Sequence, residues 1–131
     1  MKKTFSAVVI FLLVAVLSAC TKGYERQATA GDVKMTLTAS QYPLVKGDNT
    51  ITIKAVDQSG KPVTDAIVNV RYYMPPMPGM APMEFNTQAV SKGDAYSFTA
   101  NIAMEGGWKA EVSVTRPGKP ASLATFNLDA R

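Results

Sequence analysis

The stretch Trp108-Lys109-Ala110-Glu111-Val112-Ser113-Val114 alternates strictly between apolar and polar side chains. A period of two residues places every apolar member on one face of an extended strand, whereas an amphipathic helix would repeat every ~3.6 residues. The stretch therefore predicts a β-strand that turns one face to a hydrophobic core and the other to solvent.

The same period recurs along most of the chain beyond residue 32. The inward-facing residues of the other predicted strands are Val33, Met35 and Leu37; Ile51, Ile53 and Ala55; Val68, Val70 and Tyr72; Tyr96, Phe98, Ala100 and Ile102; and Ala124, Phe126 and Leu128. Gly, Pro, Asn and Asp cluster between these strands, as is typical of turns. We therefore predict an all-β fold, an immunoglobulin-like antiparallel β-sandwich of about seven strands, with Trp108 and Tyr96 as the largest core side chains.

The first residues have the composition of an export signal. Lys2 and Lys3 precede an apolar run over residues 7–17, and the small residues Ser18 and Ala19 then lead to Cys20. The apolar run is shorter than the roughly 20 residues of a transmembrane helix. Leu17-Ser18-Ala19-Cys20 resembles the bacterial lipobox, so Cys20 is the predicted lipidation site. An ordinary signal peptide followed by an incidental cysteine is the alternative.

These features divide the chain into three parts. Residues 1–19 are the predicted lipoprotein signal peptide, and residues 20–32, which are polar and aperiodic, are the predicted lipidated cysteine and flexible tether. Residues 33–131 are the predicted β-sandwich domain, which is long enough for one hydrophobic core but not for two.

Composition argues against several classes of function. The chain has no histidine, and its single cysteine is the one predicted to carry lipid, so neither an imidazole base nor a free thiol remains for catalysis. The acidic residues fall mostly in turns or at outward strand positions. We therefore expect a protein that is not an enzyme. No cluster of Lys and Arg lies near aromatic residues, so nucleic-acid binding is not expected.

One segment departs from the strand pattern. It reads Tyr73-Met74-Pro75-Pro76-Met77-Pro78-Gly79-Met80-Ala81-Pro82-Met83 and contains four of the chain's seven methionines. Proline lacks a backbone N–H and fixes φ, so we expect a loop or a sheet edge here. Pro-rich chain favours polyproline II, which repeats every three residues. That conformation would place the sulfurs of Met74, Met77, Met80 and Met83 on one side of the segment.

The predicted ligand for this segment is Cu(I). A thioether is a soft, neutral donor that favours Cu(I) over Ca(II), Mg(II) or Zn(II). A bend at Gly79 would help the sulfurs to converge. Without histidine there is little provision for Cu(II), so the site should hold Cu(I), or Ag(I) as its mimic. The candidate metal ligands are Met77, Met80 and Met83, with Met74 and Met104 as further candidates if the end of the strand before Gly106 lies beside the loop.

The same methionines also fit an interpretation without metal. They could be adaptable hydrophobic residues that cap the open end of the sandwich, or a flexible surface for a protein partner. Met35 is in phase with the apolar residues of its strand and is assigned to the core. Met74 and Met104 continue the apolar rows of their strands and could be core residues as well.

Several segments together resemble a known family. They are Asp57-Gln58-Ser59-Gly60-Lys61-Pro62-Val63, Ala66-Ile67-Val68-Asn69-Val70, Met74-Pro75-Pro76-Met77-Pro78-Gly79-Met80, and Met104-Glu105-Gly106-Gly107-Trp108. Over residues 32–128 the chain resembles the YtkA-like domain, which is related to the FixH family. The resemblance implies a small β-sandwich in the bacterial cell envelope, often near copper efflux or cytochrome oxidase assembly systems. The chain departs from many periplasmic copper carriers, which mix His with Met.

These observations predict a lipoprotein of the cell envelope that is tethered to a membrane through lipid on Cys20, faces the periplasm and takes part in copper handling or oxidase assembly. The alternative is a non-enzymatic interaction module of an efflux or assembly complex that holds no metal. A purely structural lipoprotein is a third interpretation. Thr21 stands where an Asp favours inner-membrane retention in some bacteria, so the outer membrane is the favoured location.

Overall fold

The computed structural model describes residues 24–131, so the predicted signal peptide and Cys20 lie outside the described residues. This part of the chain contains strands and no helix, and thus no helix that could span a membrane. Its nine strands are β1 (Tyr24–Ala30), β2 (Val33–Ala39), β3 (Gly47–Val56), β4 (Ile67–Met74), β5 (Met83–Gln88), β6 (Val90–Lys92), β7 (Ala95–Ile102), β8 (Gly106–Thr115) and β9 (Ser122–Ala130).

The strands form two antiparallel sheets that face each other. One sheet has the order β1-β2-β3-β7-β6, and the other has the order β5-β4-β8-β9. The predicted all-β sandwich is therefore confirmed. The structure has nine strands where the sequence predicts about seven. The additional strands are short or lie at sheet edges, where only part of one face needs to be apolar.

The expectation of a flexible tether over residues 20–32 is wrong for residues 24–30. These residues form β1, which pairs with β2 from Tyr24 opposite Ala39 to Ala30 opposite Val33. Only Tyr24, Ala28 and Ala30 pack against the core from this strand. An edge strand can form with few apolar residues because its neighbour supplies a complete row of backbone hydrogen-bond partners.

The hydrophobic core lies between the sheets and contains the apolar rows that the sequence predicts. Trp108 and Tyr96 are both buried, as predicted for the largest core side chains. The Tyr96 hydroxyl donates to the carbonyl of Val63 at 2.9 Å and accepts from the N–H of Ala66 at 3.1 Å. It thereby joins β7 to the chain segment that leads from β3 to β4.

One lateral side of the sandwich is closed by contacts between β1, β9 and the chain after β2. The Tyr24 hydroxyl donates to the carbonyl of Asn127 at 2.6 Å, and the ring of Tyr24 stacks on Tyr42 with 3.8 Å between ring centroids. Leu44 bonds to the outer edge of β9, donating to the carbonyl of Asp129 at 2.9 Å. On the opposite side the chain crosses from β5 to β6 at Ala89, whose N–H donates to the carbonyl of Val68 at 2.8 Å.

The two ends of the sandwich differ in what they carry. We name the end at which β4 ends, at Met74, and β5 begins, at Met83, the methionine end. Strand β7 ends there at Ile102, and β8 begins there at Gly106. The other end, which holds the β1–β2, β3–β4, β6–β7 and β8–β9 connections, is named the distal end.

Candidate functional site

The methionine-rich segment is the tip of the β4–β5 hairpin. Met74 and Met83 lie directly opposite each other as the last paired residues of the two strands. Residues 75–82 form the loop beyond this pair, which agrees with the expectation that the prolines keep the segment out of a sheet interior.

A tight turn lies at the centre of this loop. The N–H of Met80 donates to the carbonyl of Met77 at 3.2 Å, so Pro78 and Gly79 are the two central residues of a β-turn. Gly79 has φ of 79°, which together with proline at the preceding position is the signature of a type II turn. The chain therefore bends at Gly79.

The turn contradicts the expectation of a continuous polyproline segment with all sulfurs on one side. The spacing of three residues instead produces two facing pairs. Met77 and Met80 flank the turn, with their Cα atoms less than about 7 Å apart. Met74 and Met83 face each other across the hairpin, with their Cα atoms about 4.5–5.5 Å apart.

The methionines differ in their exposure to solvent. Met77 is 45% exposed and Met80 is 39% exposed, which places them among the exposed large hydrophobic residues of the described chain. Met83 is half-buried against the core. The outer pair is therefore directly accessible to an ion or a partner, and Met83 lies just below it on the returning strand.

Met74 and Met104 belong more to the core than to the surface. Met74 is only 6% exposed, and its Cε methyl group lies so close to Gly106 that a Cβ on that glycine would be 3.1 Å away. Met104 is partly buried, and its carbonyl accepts a hydrogen bond from the indole Nε1 of Trp108 at 3.0 Å. The connection between β7 and β8 thus lies beside the base of the methionine hairpin, and Met35 is fully buried in the core.

An aromatic cluster supports the base of the hairpin. Tyr72 stacks on Phe85 with ring centroids 5.1 Å apart, and Trp108 lies 6.3 Å from each of these two rings. Phe85 is not among the candidate residues predicted from the sequence. The alternation Met83-Glu84-Phe85-Asn86-Thr87 is the signal that could have identified it as an inward-facing residue of β5.

Ion pairs on the solvent-facing side of the same hairpin join its strands. Arg71 binds Glu84 through two contacts, Nε to Oε1 at 2.8 Å and Nη2 to Oε2 at 3.1 Å, and it also lies 3.5 Å from the carboxylate of Glu111. The hydrogen bond from Arg71 lowers the pKa of Glu84 below its ordinary value, so the carboxylate stays ionised. This ion pair joins β4 to β5 next to Met83.

The described residues include no group of three or more His, Cys, Asp or Glu side chains placed to hold a metal ion. The thioethers at the tip are neutral donors, and they require no proton to be released when they bind a soft ion. The remaining predicted site residue, Cys20, lies outside the described residues.

No curated protein matches the chain significantly. Among solved structures, the chain is similar to the crystal structure of the PmoD soluble domain from Methylocystis sp. ATCC 49242 (Rockwell), with a TM-score of 0.54 and 13% sequence identity. The match covers 80% of this chain and 97% of the PmoD chain, and it shows a shared fold. The YtkA-like family profile matches residues 27–113. This match covers most of the chain, including both strands of the methionine hairpin, and the protein therefore belongs to the YtkA-like family.

Proposed function

We propose that this protein is a non-enzymatic lipoprotein of the bacterial cell envelope that binds Cu(I), or Ag(I) as its mimic, through methionine thioethers. Met77, Met80 and Met83 supply the ligands. Lipid on Cys20 holds the domain at a membrane, on the periplasmic side and with the outer membrane favoured, where it serves copper handling or oxidase assembly.

The observation that carries the proposal is the pairing of Met77 and Met80 across the turn at Gly79. A type II turn brings its first and last residues close together, and both of these side chains are exposed. Two long, unbranched thioethers on one turn can approach a single ion without reorganising the backbone. Met83, on the strand that returns from the turn, is the proposed third ligand.

The surroundings favour a soft monovalent ion. The segment from Tyr73 to Met83 carries no charged residue, and the carboxylate that follows it in the chain, that of Glu84, is already paired with Arg71. A neutral, largely apolar site disfavours strongly hydrated divalent cations, which need carboxylate or carbonyl ligands. A three-coordinate sulfur site for Cu(I) has no such requirement.

A second candidate function is docking of a protein partner without metal. The exposure of Met77 and Met80, together with Phe85 at the open edge, favours it. Methionine-rich surfaces adapt to partners of different shape. A component of an efflux or oxidase assembly complex is the kind of partner that this candidate implies.

An anaerobic Cu(I) competition titration of residues 22–131 against a chromophoric chelator tests the proposal. The variant in which Met77, Met80 and Met83 are all changed to Leu keeps the apolar volume and removes the sulfurs. The matched control is Met35→Leu, the same change at a fully buried core position. We expect stoichiometric binding by the native domain and the control, and none by the triple variant while its circular dichroism remains that of a folded sandwich.

A native domain that fails to compete for Cu(I) would exclude the metal site. Retained binding of a partner by the metal-free domain would then favour the docking function.

A further inference from the structure

The first described residue, Tyr24, lies near the methionine end of the sandwich. Its hydroxyl bonds to Asn127 at 2.6 Å, Asn127 pairs with Lys109, and Lys109 pairs with Tyr73. This row of contacts runs across the molecule and ends one residue before Met74. Strand β1 then leads away from the methionine end, as shown by the pairing of its last residue, Ala30, with Val33 at the start of β2.

The position of Tyr24 limits where a lipid on Cys20 can reach. Cys20 precedes Tyr24 by four residues, and four residues span at most about 14 Å even when fully extended. Strand β1 alone is about 20 Å long. A lipid attached to Cys20 therefore cannot extend past the distal end of the domain into a bilayer, whereas it can reach the level of the methionine end.

The tip of the methionine hairpin differs in charge from the distal connections. Each of the four distal connections carries a charged residue, namely Asp32, Asp57, Asp94 and Arg116, and the first and last of these form an ion pair. The methionine loop over residues 75–82 contains only Pro, Met, Gly and Ala. The other segments at the methionine end carry Lys46, Glu105 and Arg131. The uncharged hairpin tip is therefore the part of this end that can enter a headgroup region without a charged group losing water.

Three of the seven exposed large hydrophobic residues of the described chain lie at this end, whereas Ile67, Val90 and Leu123 lie toward the distal end, out of reach of a bilayer that holds the lipid on Cys20. Met77 and Met80 flank the hairpin tip, and Val45, 39% exposed, follows Leu44 beside the end of β9. Exposed apolar side chains at one end of a membrane-tethered domain can pack among lipid headgroups, where single residues add modestly to the affinity supplied by the anchor.

We propose that the methionine end rests against the surface of the bilayer that holds the lipid anchor, with Met77 and Met80 directed toward the headgroups. The orientation requires the lipidation of Cys20 that forms part of the proposed function, and it does not require copper. If the tip also binds Cu(I), the ion is presented to the plane of the membrane, and the protein that exchanges it is one embedded in that membrane.

The orientation can be measured with the full acylated protein in vesicles of phosphatidylethanolamine and phosphatidylglycerol. Cys20 is the only cysteine and its thiol is blocked by lipid, so one engineered cysteine can be labelled selectively. Ala81→Cys places a donor dye at the tip, and Gln58→Cys places the same dye at the distal end. Both positions are exposed. An acceptor dye is attached to the lipid headgroups.

Energy transfer falls steeply with distance, and the two labels are separated by roughly the 30 Å length of a ten-residue strand such as β3. We expect transfer to be at least about threefold more efficient from the dye at position 81, without metal. Equal transfer from both positions would show a domain lying on its side and would overturn the proposal. More efficient transfer from position 58, or failure of the acylated protein to bind vesicles, would overturn it as well.

This result is independent of the copper titration. Loss of the orientation leaves Cu(I) binding by the isolated domain unchanged, and loss of Cu(I) binding leaves the orientation unchanged.

Discussion

The Cε methyl group of Met74 covers Gly106 so closely that a Cβ on this glycine would stand 3.1 Å from it. Gly106 also has φ of 130°, a conformation that side-chain-bearing residues rarely adopt. The contact joins the end of β4 to the start of β8, directly below the methionine hairpin. Packing at the base of the hairpin therefore requires glycine at position 106, at the start of the neighbouring strand β8.

Gly106→Ala should destabilise the domain by about 1–3 kcal/mol, because it adds backbone strain and crowds Met74. Gly107→Ala is the matched control, since a Cβ at that position would meet no heavy atom within 4 Å. The free energy of unfolding from urea titration measures both changes. Equal decreases in the free energy of unfolding of the two variants would show that the close approach of Met74 to Gly106 does not contribute to stability.

Gly79→Ala should weaken both the fold and Cu(I) binding. A Cβ at Gly79 meets nothing within 4 Å, so the loss of stability, about 1–2 kcal/mol, comes from its φ of 79° alone. Gly60→Ala is a close control, because Gly60 has φ of 81°, is equally open, and lies at the distal end. Urea titration should show similar destabilisation of the two variants, and chelator competition should show weaker Cu(I) binding only for Gly79→Ala. Unchanged Cu(I) affinity in Gly79→Ala would show that the turn does not position the ligands.

Single substitutions should rank the methionines by their exposure. Met77→Leu and Met80→Leu should each weaken Cu(I) binding at least tenfold, which corresponds to about 1.4 kcal/mol. Met74→Leu should change the affinity less than about threefold, because its side chain is buried against Gly106. Competition titrations of the three variants give the order. A larger effect from Met74 than from the exposed pair would move the site into the base of the hairpin.

Acid should weaken the contact between the two distal turns that meet at Asp32. The hydrogen bond from Arg116 lowers the pKa of Asp32 below its ordinary value of 3.8. The carboxylate therefore stabilises the fold above that pH, and this stabilisation is lost as the pH falls through the lowered pKa. Asp32→Asn should be less stable than the native domain at neutral pH, and the difference should shrink toward zero in acid.

The measurement for Asp32 is urea unfolding at a series of pH values between neutrality and the acid limit of the fold. Asp65→Asn serves as the control, since Asp65 makes no ion pair within the described residues. A difference between Asp32→Asn and the native domain that stays constant with pH would contradict the assignment of the stabilisation to the charged form.

Cys20→Ser should block lipidation and maturation of the protein. The substitution removes the thiol that accepts lipid, so the precursor should keep its signal peptide and carry no diacylglyceryl group. Intact-mass spectrometry of the membrane fraction measures both properties. A Cys20→Ser protein that is cleaved as the native protein is would show that Cys20 is incidental to an ordinary signal peptide.

The sandwich could be predicted from the sequence because its central strands bury one complete face. Rows such as Val68, Val70 and Tyr72 repeat every two residues. Only a β-strand places all members of such a row on one face. Strand β1 was not predicted because Arg26 interrupts the row of apolar residues formed by Tyr24, Ala28 and Ala30. Strand β6 has three residues and all of them are exposed, so its sequence contains no row to detect.

The residues that form the candidate site could be predicted from the sequence, but their arrangement in space could not. The spacing of the methionines and the prolines between them identified the loop. The pairing of Met74 with Met83 depends on the register of two strands, and a spacing of three residues fits both a polyproline helix and two pairs of facing residues in a hairpin. Only the position of the turn at Gly79 distinguishes these two arrangements.

The pair formed by Met74 and Met83 divides the hairpin into a part that packs against the core and an exposed loop. Below this pair the strand residues pack against the core, and above it residues 76–82 are exposed. Exposed side chains of this loop can therefore change during evolution while the sandwich stays folded. Related sandwiches could exchange methionine for histidine here, or lengthen the loop, and acquire a different ion preference on an unchanged scaffold.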